Sequence, residues 1–66
     1  MAKAARVEMA RATFAEITWQ LEDVILVAAE GQAASDLVAA RQTCNRLVVQ
    51  LRVCTERLHR LRGRLG

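Results

Sequence analysis

The chain contains no proline and only three glycines in 66 residues, so little in it interrupts a helix. It also lacks low-complexity tracts and linkers rich in Ser or Gly. Ala, Leu, Arg, Glu and Gln, which all favour helices, dominate both halves. The composition therefore predicts one small domain built from long helices.

One histidine and two cysteines offer little material for catalysis or metal binding. No Cys or carboxylate pair stands at zinc spacing around His59. Cys44 and Cys54 lie about 15 Å apart along one predicted helix, which is beyond disulfide reach. The isolated glycines form no phosphate-binding loop, and the adjacent Glu22 and Asp23 point in different directions. We therefore predict no enzymatic activity, no metal and no cofactor.

Long apolar runs are also missing from the sequence. The longest, from Val24 to Ala29, is far too short to cross a bilayer. The N-terminus lacks the apolar core and cleavage site of a signal peptide. Both cysteines fall on apolar positions, where a reduced, buried thiol acts as a small hydrophobe. We expect a soluble, cytoplasmic protein without a membrane span.

Two apolar series are the main positive feature of the sequence. Each repeats at alternating steps of three and four residues, which is typical of the a and d positions of a coiled coil. The first consists of Val7, Ala10, Phe14, Ile17, Leu21, Val24 and Ala28, and the second of Leu37, Ala40, Cys44, Leu47, Leu51, Cys54, Leu58, Leu61 and Leu65. The sequence predicts an all-α fold, an antiparallel two-helix hairpin of coiled-coil type. Both series should lie in the seam, the line of contact between the two helices.

The interruption between the series predicts a turn. Continuing the first series would place polar residues in the seam, so one continuous helix is excluded. Gly31 suits the left-handed conformation that ends many helices, and Ser35 with Asp36 suits the start of the next helix. We predict one domain, residues 1–66, with a helix at about 3–30, a turn at 31–35 and a helix at about 36–63. Pairing the series outward from this turn places Phe14 opposite Cys54, and a neighbouring register, with Phe14 opposite Leu51, also centres on the turn.

A hairpin of this size buries only one narrow seam, which offsets little of the entropy lost in ordering the chain. Domains this small commonly depend on disulfides, a metal or oligomerisation, and the first two are not indicated here. We therefore expect the hairpin to form part of a four-helix bundle or a larger helical assembly. Its predicted function is that of a protein-protein interaction module, such as an adaptor or co-chaperone subunit.

Apolar residues outside the two series predict where a partner binds. Trp19 and Leu26 are one heptad apart on the side of the first helix that faces away from the seam, and Ile25 is beside them. Val49 and Val53 point away from the seam on the second helix. A contiguous exposed patch that contains Trp is typical of an interface. These five residues form the predicted partner-binding set.

Charge is divided unequally along the chain. Residues 1–30 carry three basic and five acidic side chains, a balance of −2, whereas residues 31–66 carry seven arginines and two acidic side chains, a balance of +5. The predicted electrostatic rim consists of Arg46, Arg57, Arg60 and Arg64, which share a helical face with the two valines. We predict that the acidic, Trp19-bearing face of one hairpin packs on the basic face of a second copy or of another helical protein.

The arginine-rich end of the second helix also indicates a second function class, the binding of RNA or DNA through phosphate contacts. Interleaved aromatic residues that would stack on bases are absent. In size and in the turn near residue 31, the chain resembles the helical-hairpin co-chaperones of needle proteins in bacterial type III secretion and the plasmid-encoded Rop-type hairpins. The first resemblance implies a larger helical-repeat partner, and the second implies a dimeric, RNA-binding regulator.

Overall fold

The computed structural model describes residues 2–66, which form two antiparallel α-helices. Helix α1 comprises Lys3–Gln32 and helix α2 comprises Leu37–Leu65, and they pack against each other along their length. Residues 33–36 connect them. The fold is therefore the all-α helical hairpin that the apolar series predict. Neither helix has a stretch both long and apolar enough to cross a membrane, within the described residues.

The turn differs in detail from the prediction. Helix α1 runs two residues further than expected and includes Gly31, which does not have a positive φ angle. The N–H of Ala33 closes the helix by donating to the carbonyl of Glu30 at 3.0 Å. Helix α2 is capped by Asp36, whose Oδ1 accepts a hydrogen bond from the N–H of Ala39 at 2.8 Å. The predicted left-handed glycine is wrong because a four-residue connection reverses the chain without one.

The two helices are staggered along their common axis. A 30-residue helix is about 45 Å long, but the hairpin measures 52 Å, so α2 begins about 7 Å beyond the end of α1. Leu37 lies on this overhang and is 78% exposed. Cys54 lies opposite Gln20, with 3.6 Å between its Sγ and the Gln20 Oε1. The predicted pairing of Cys54 with Phe14 is therefore wrong by six residues, because the stagger shifts the register.

The seam is also rotated relative to the apolar series by about 50°, half the turn between successive residues, on each helix. Ala10, Ile17, Cys54 and Leu61 from the predicted series are buried in it. The other seam positions belong to the residues that precede the remaining series members, namely Thr13, Gln20 and Val27 on α1 and Thr43, Gln50 and Arg57 on α2. Half of each predicted series therefore lies outside the seam, and the prediction of two fully buried series is wrong.

The hairpin core is consequently thin. Within residues 2–66 only Ala10, Ile17, Val27, Cys54 and Leu61 are buried, and no side chain among them is both large and completely enclosed. The threonine hydroxyls at the seam bond to the carbonyl one turn earlier, from Thr13 to Met9 and from Thr43 to Ala39. These bonds satisfy the two threonine hydroxyls but add no apolar burial. The buried Oε1 of Gln50, also in the seam, has no hydrogen-bond partner among the described residues.

Candidate protein-interaction faces

One side of the hairpin carries a continuous row of large apolar side chains, which we call the apolar face. Each of its six members is 42–50% exposed. They repeat at heptad spacing, so they lie in register on each helix. The members are Val7, Phe14 and Leu21 on α1 and Leu51, Leu58 and Leu65 on α2. All six belong to the two apolar series that the sequence predicts to lie in the seam.

An open groove shows that the two halves of the apolar face meet. Phe14 from α1 and Leu58 and Leu65 from α2 line the same groove, which has a volume of about 480 Å³. Leu21 continues this surface one heptad further along α1, and Leu51 continues it along α2. The row therefore spans both helices and forms one surface. Its apolar side chains suit another apolar helical surface, and Thr55, His59 and Arg62 line the groove beside them.

Residue size gives a partial signal of this arrangement in the sequence. The row that lies in the seam includes three small residues, Ala10, Ala40 and Cys54, beside the larger Ile17, Leu47 and Leu61. The neighbouring row contains Phe14 and more leucines, so it is the bulkier of the two. Spacing alone treats both rows as one series, so it cannot show which row faces the other helix.

The predicted partner-binding residues are exposed but do not form one surface. Trp19 is 71% exposed and lies between Glu16 and Asp23 on its helix, on the side opposite the apolar face. Val49 and Val53 reach the same side, where they line a groove with Asp23. Leu26 continues the row one heptad after Trp19. We call Trp19, Leu26, Val49 and Val53 the Trp19 face.

Ile25 lies away from the Trp19 face. It is 66% exposed, and helical spacing turns it by about 120° from Trp19, toward the outer edge of the apolar face. The structure therefore divides the predicted set of five between two sides of the hairpin. Their assignment as partner-binding residues stays a prediction.

The predicted arginine rim lies on the side of the Trp19 face. Arg57, Arg60 and Arg64 line one groove of about 290 Å³ together with Thr13 and Glu16. Arg46 lies further along α2, beside Val49. The structure thus brings the arginine cluster together on one side.

Part of the charge complementarity predicted between two copies is used within one hairpin. Arg46 pairs with Glu30 at 3.0 Å, and Arg57 pairs with Glu16 at 3.1 Å. Arg57 also donates to the Gln20 Oε1 at 3.0 Å, which ties the charged pair to the seam. These contacts join α1 to α2 and fix the stagger of the two helices. They leave fewer free charges for a partner on this side.

The two cysteines differ in their surroundings. Cys54 is buried in the seam, whereas Cys44 is exposed, so the prediction that both thiols are buried is wrong for Cys44. Cys44 is one heptad from Leu51 and extends the apolar face toward the turn. Among residues 2–66, no three His, Cys, Asp or Glu side chains gather into a group that could hold a metal ion.

No protein-family model, curated protein or solved structure matches the chain.

Proposed function

We propose that the chain is a non-enzymatic protein-protein interaction module that assembles through its apolar face. One observation carries the proposal: six large apolar side chains form a single surface on one side of a hairpin that has almost no core of its own. Contiguous apolar surfaces of this kind mark interaction sites. Their burial supplies the stability that the narrow seam lacks.

Covering the apolar face would stabilise the hairpin. Complete burial of a Leu or Phe side chain stabilises a protein by about 1.5–3 kcal/mol. In the hairpin alone, each member of the apolar face keeps 42–50% of its surface exposed. Covering the face with another helical surface recovers much of this stabilisation. A second helical hairpin is the simplest surface that has the required length and apolar character.

The Trp19 face gives the module a second site on the opposite side. An exposed Trp anchor is typical of the centres of protein interfaces, and charged residues are typical of their rims. An adaptor or co-chaperone role uses the two faces together, the apolar face for assembly and the Trp19 face for a further helical partner. We place the module in the cytoplasm.

A pair of leucines on α1 provides a matched test. Leu21 belongs to the apolar face and is 42% exposed, and Leu26 belongs to the Trp19 face and is 63% exposed. We expect Leu21→Glu to reduce the mass of the assembly to that of one chain, because it places a charge in a buried apolar contact. Leu26→Glu should leave the mass unchanged. Sedimentation equilibrium of both variants and the unmodified chain measures the difference.

Two results of these measurements would contradict the proposal. If the unmodified chain is a folded monomer that binds no helical protein, the module has no assembly function. If Leu26→Glu dissociates the assembly and Leu21→Glu does not, the Trp19 face is the assembly surface instead. Circular dichroism of each variant shows whether a loss of mass is accompanied by unfolding.

Nucleic-acid binding is the alternative function, and the gathering of Arg57, Arg60 and Arg64 around one groove favours it. Glu16 lies in the same groove and neutralises part of this charge through Arg57. If the groove grips phosphates, binding to RNA or DNA should weaken steeply with salt concentration. The triple variant Arg57→Gln, Arg60→Gln, Arg64→Gln should then lose binding.

A further inference from the structure

We infer that exactly two copies assemble, face to face, into a four-helix bundle in which both turns lie at the same end. In this arrangement α1 of each copy packs against α2 of the other. The inference rests on the proposed assembly function and adds its stoichiometry and orientation.

The rotation of the apolar series relative to the seam indicates a bundle of four helices. Successive residues turn by about 100° around a helix. In the seam, one row of each series is kept and the other is replaced by the residues that precede it. The centre of the apolar series therefore lies about 50° from the direction of the neighbouring helix. In an isolated pair of helices this angle would be close to zero, because the series would face the partner. In a square bundle of four helices, the centre lies about 45° from the direction of each neighbour. The series of both helices therefore point to the axis of a bundle that one hairpin only half completes.

This geometry assigns a place to both rows of the two series. Ala10, Ile17, Cys54 and Leu61 already fill the seam between α1 and α2. The apolar face fills the corresponding contact with the second copy. These ten residues then surround one common core, although only the four in the seam are buried in the hairpin alone.

The size of the face matches a second copy. Between Cα atoms, the hairpin measures 52 Å by 16 Å in its broad plane. This outline encloses about 800 Å², so the broad side of the hairpin is large enough to provide the roughly 800 Å² per partner that is typical of a stable protein interface. A second hairpin has the same length, so it covers the whole face.

Charge complementarity selects the orientation. With both turns at one end, α2 of the second copy lies beside α1 at the same level as in the hairpin itself. Glu22 then faces Arg52 of the second copy, because the same register joins Glu30 to Arg46 within one chain. Ile25 faces Val48 of the second copy, which covers two more exposed apolar residues. Neither Glu22 nor Arg52 has an ion pair among the described residues of one chain.

The opposite orientation brings like charges together. If the turns lay at opposite ends of a centred bundle, α2 would pack on α2 of the second copy. Arg52 would then face Arg52, and Arg41 would face Arg62, while Glu22 on α1 would face Glu22. Such pairs are repulsive across a helix interface. With both turns at one end, the register also brings Arg11 near Arg62 of the second copy, but Arg11 is already paired with Glu8 and the two Glu22–Arg52 pairs offset this contact. The uneven division of charge between the two helices thus still favours the pairing of α1 with α2.

A single spin label near the turn distinguishes the two orientations. Ser35 is exposed and lies outside both helices, so Ser35→Cys in a Cys44→Ala, Cys54→Ala background provides the attachment site. With both turns at one end, the two labels are separated by about 15–30 Å, since helices in a bundle pack 8–10 Å apart. With turns at opposite ends, the separation approaches the 52 Å length of the hairpin. Pulsed dipolar spectroscopy measures this distance.

Each result has a separate meaning. A short distance with the mass of two chains supports the inference. A distance near 50 Å overturns the orientation but leaves the proposed assembly function intact. A folded monomer contradicts both, and a mass of three or more chains overturns the stoichiometry alone.

A charge exchange tests the orientation with both native cysteines retained, in case the labelled background does not assemble. Glu22→Lys and Arg52→Glu should each weaken the dimer about 2- to 20-fold, since symmetry places two such pairs in the interface. The double variant should restore the original dissociation constant. With turns at opposite ends, each single variant only replaces one like-charged contact by another, so neither Glu22→Lys nor Arg52→Glu would weaken the dimer. Unchanged dissociation constants for both single variants would therefore overturn the orientation.

Discussion

At Gly31 the two helices approach so closely that a side chain would not fit without a shift. A Cβ atom built on this residue lies 2.9 Å from Cγ2 of Thr43. Thr43 cannot simply rotate away, because its hydroxyl donates to the carbonyl of Ala39 at 3.1 Å. The glycine in this chain therefore serves close packing within a helix, although its position near the turn indicates a helix terminator.

We expect Gly31→Ala to lower the stability of the protein. Overpacking typically costs about 1–3 kcal/mol, which exceeds the gain of about 1 kcal/mol from replacing a helical glycine by alanine. The contact disappears in Thr43→Ser, which keeps the hydroxyl and removes Cγ2. In that background, Gly31→Ala should stabilise the protein by up to about 1 kcal/mol. Urea unfolding of the four proteins measures both changes, and equal effects in the two backgrounds would rule out the steric explanation.

At the scale of the helices, α1 and α2 are fixed by different means. Helix α2 has an Asp36 cap at its start and Arg62 and Arg64 in its last turn, which suit the helix dipole. Helix α1 has no side-chain cap at its start and no basic residue in its last turn. Its position depends on contacts with α2, including Glu30 with Arg46. The sequence of α2 thus contains stronger local signals for the start and end of a helix than the sequence of α1.

The Asp36 cap allows a test with an adjacent control. We expect Asp36→Ala to destabilise the protein by about 0.5–2 kcal/mol, because the N–H of Ala39 loses its acceptor. Ser35→Ala should have almost no effect, since the structure assigns the cap to the neighbouring aspartate. Thermal unfolding followed by circular dichroism, at one fixed protein concentration, compares the two. A larger loss for Ser35→Ala would show that the cap is misassigned.

At the scale of the whole molecule, folding and assembly should be a single event. Among residues 2–66 five side chains are buried, and a long apolar face is exposed. A chain with so little enclosed surface has too small a core to offset its ordering entropy. In the proposed dimer, the second copy would supply part of the core.

Thermal stability should therefore depend on protein concentration. For a folded dimer that unfolds to two separate chains, we expect Tm to rise by about 5 °C for each tenfold increase in concentration, given the usual enthalpy per residue. Melts recorded at three concentrations measure this slope. A Tm that stays constant across them would identify an autonomous monomeric hairpin and contradict coupled folding and assembly.

The sequence by itself determined that the chain forms two helices, that they fold back on each other, and which residues are apolar on each helix. Spacing and composition suffice for this, because helix periodicity is a local property. Only the tertiary structure decided that Cys54 lies opposite Gln20, that Asp36 is the cap, and that Phe14 and Leu58 lie outside the seam. Stagger and rotation depend on side-chain size and on contacts between distant residues, such as the close approach at Gly31. The same apolar series therefore predicted the hairpin correctly but did not show which of its members lie in the seam and which form the exposed apolar face.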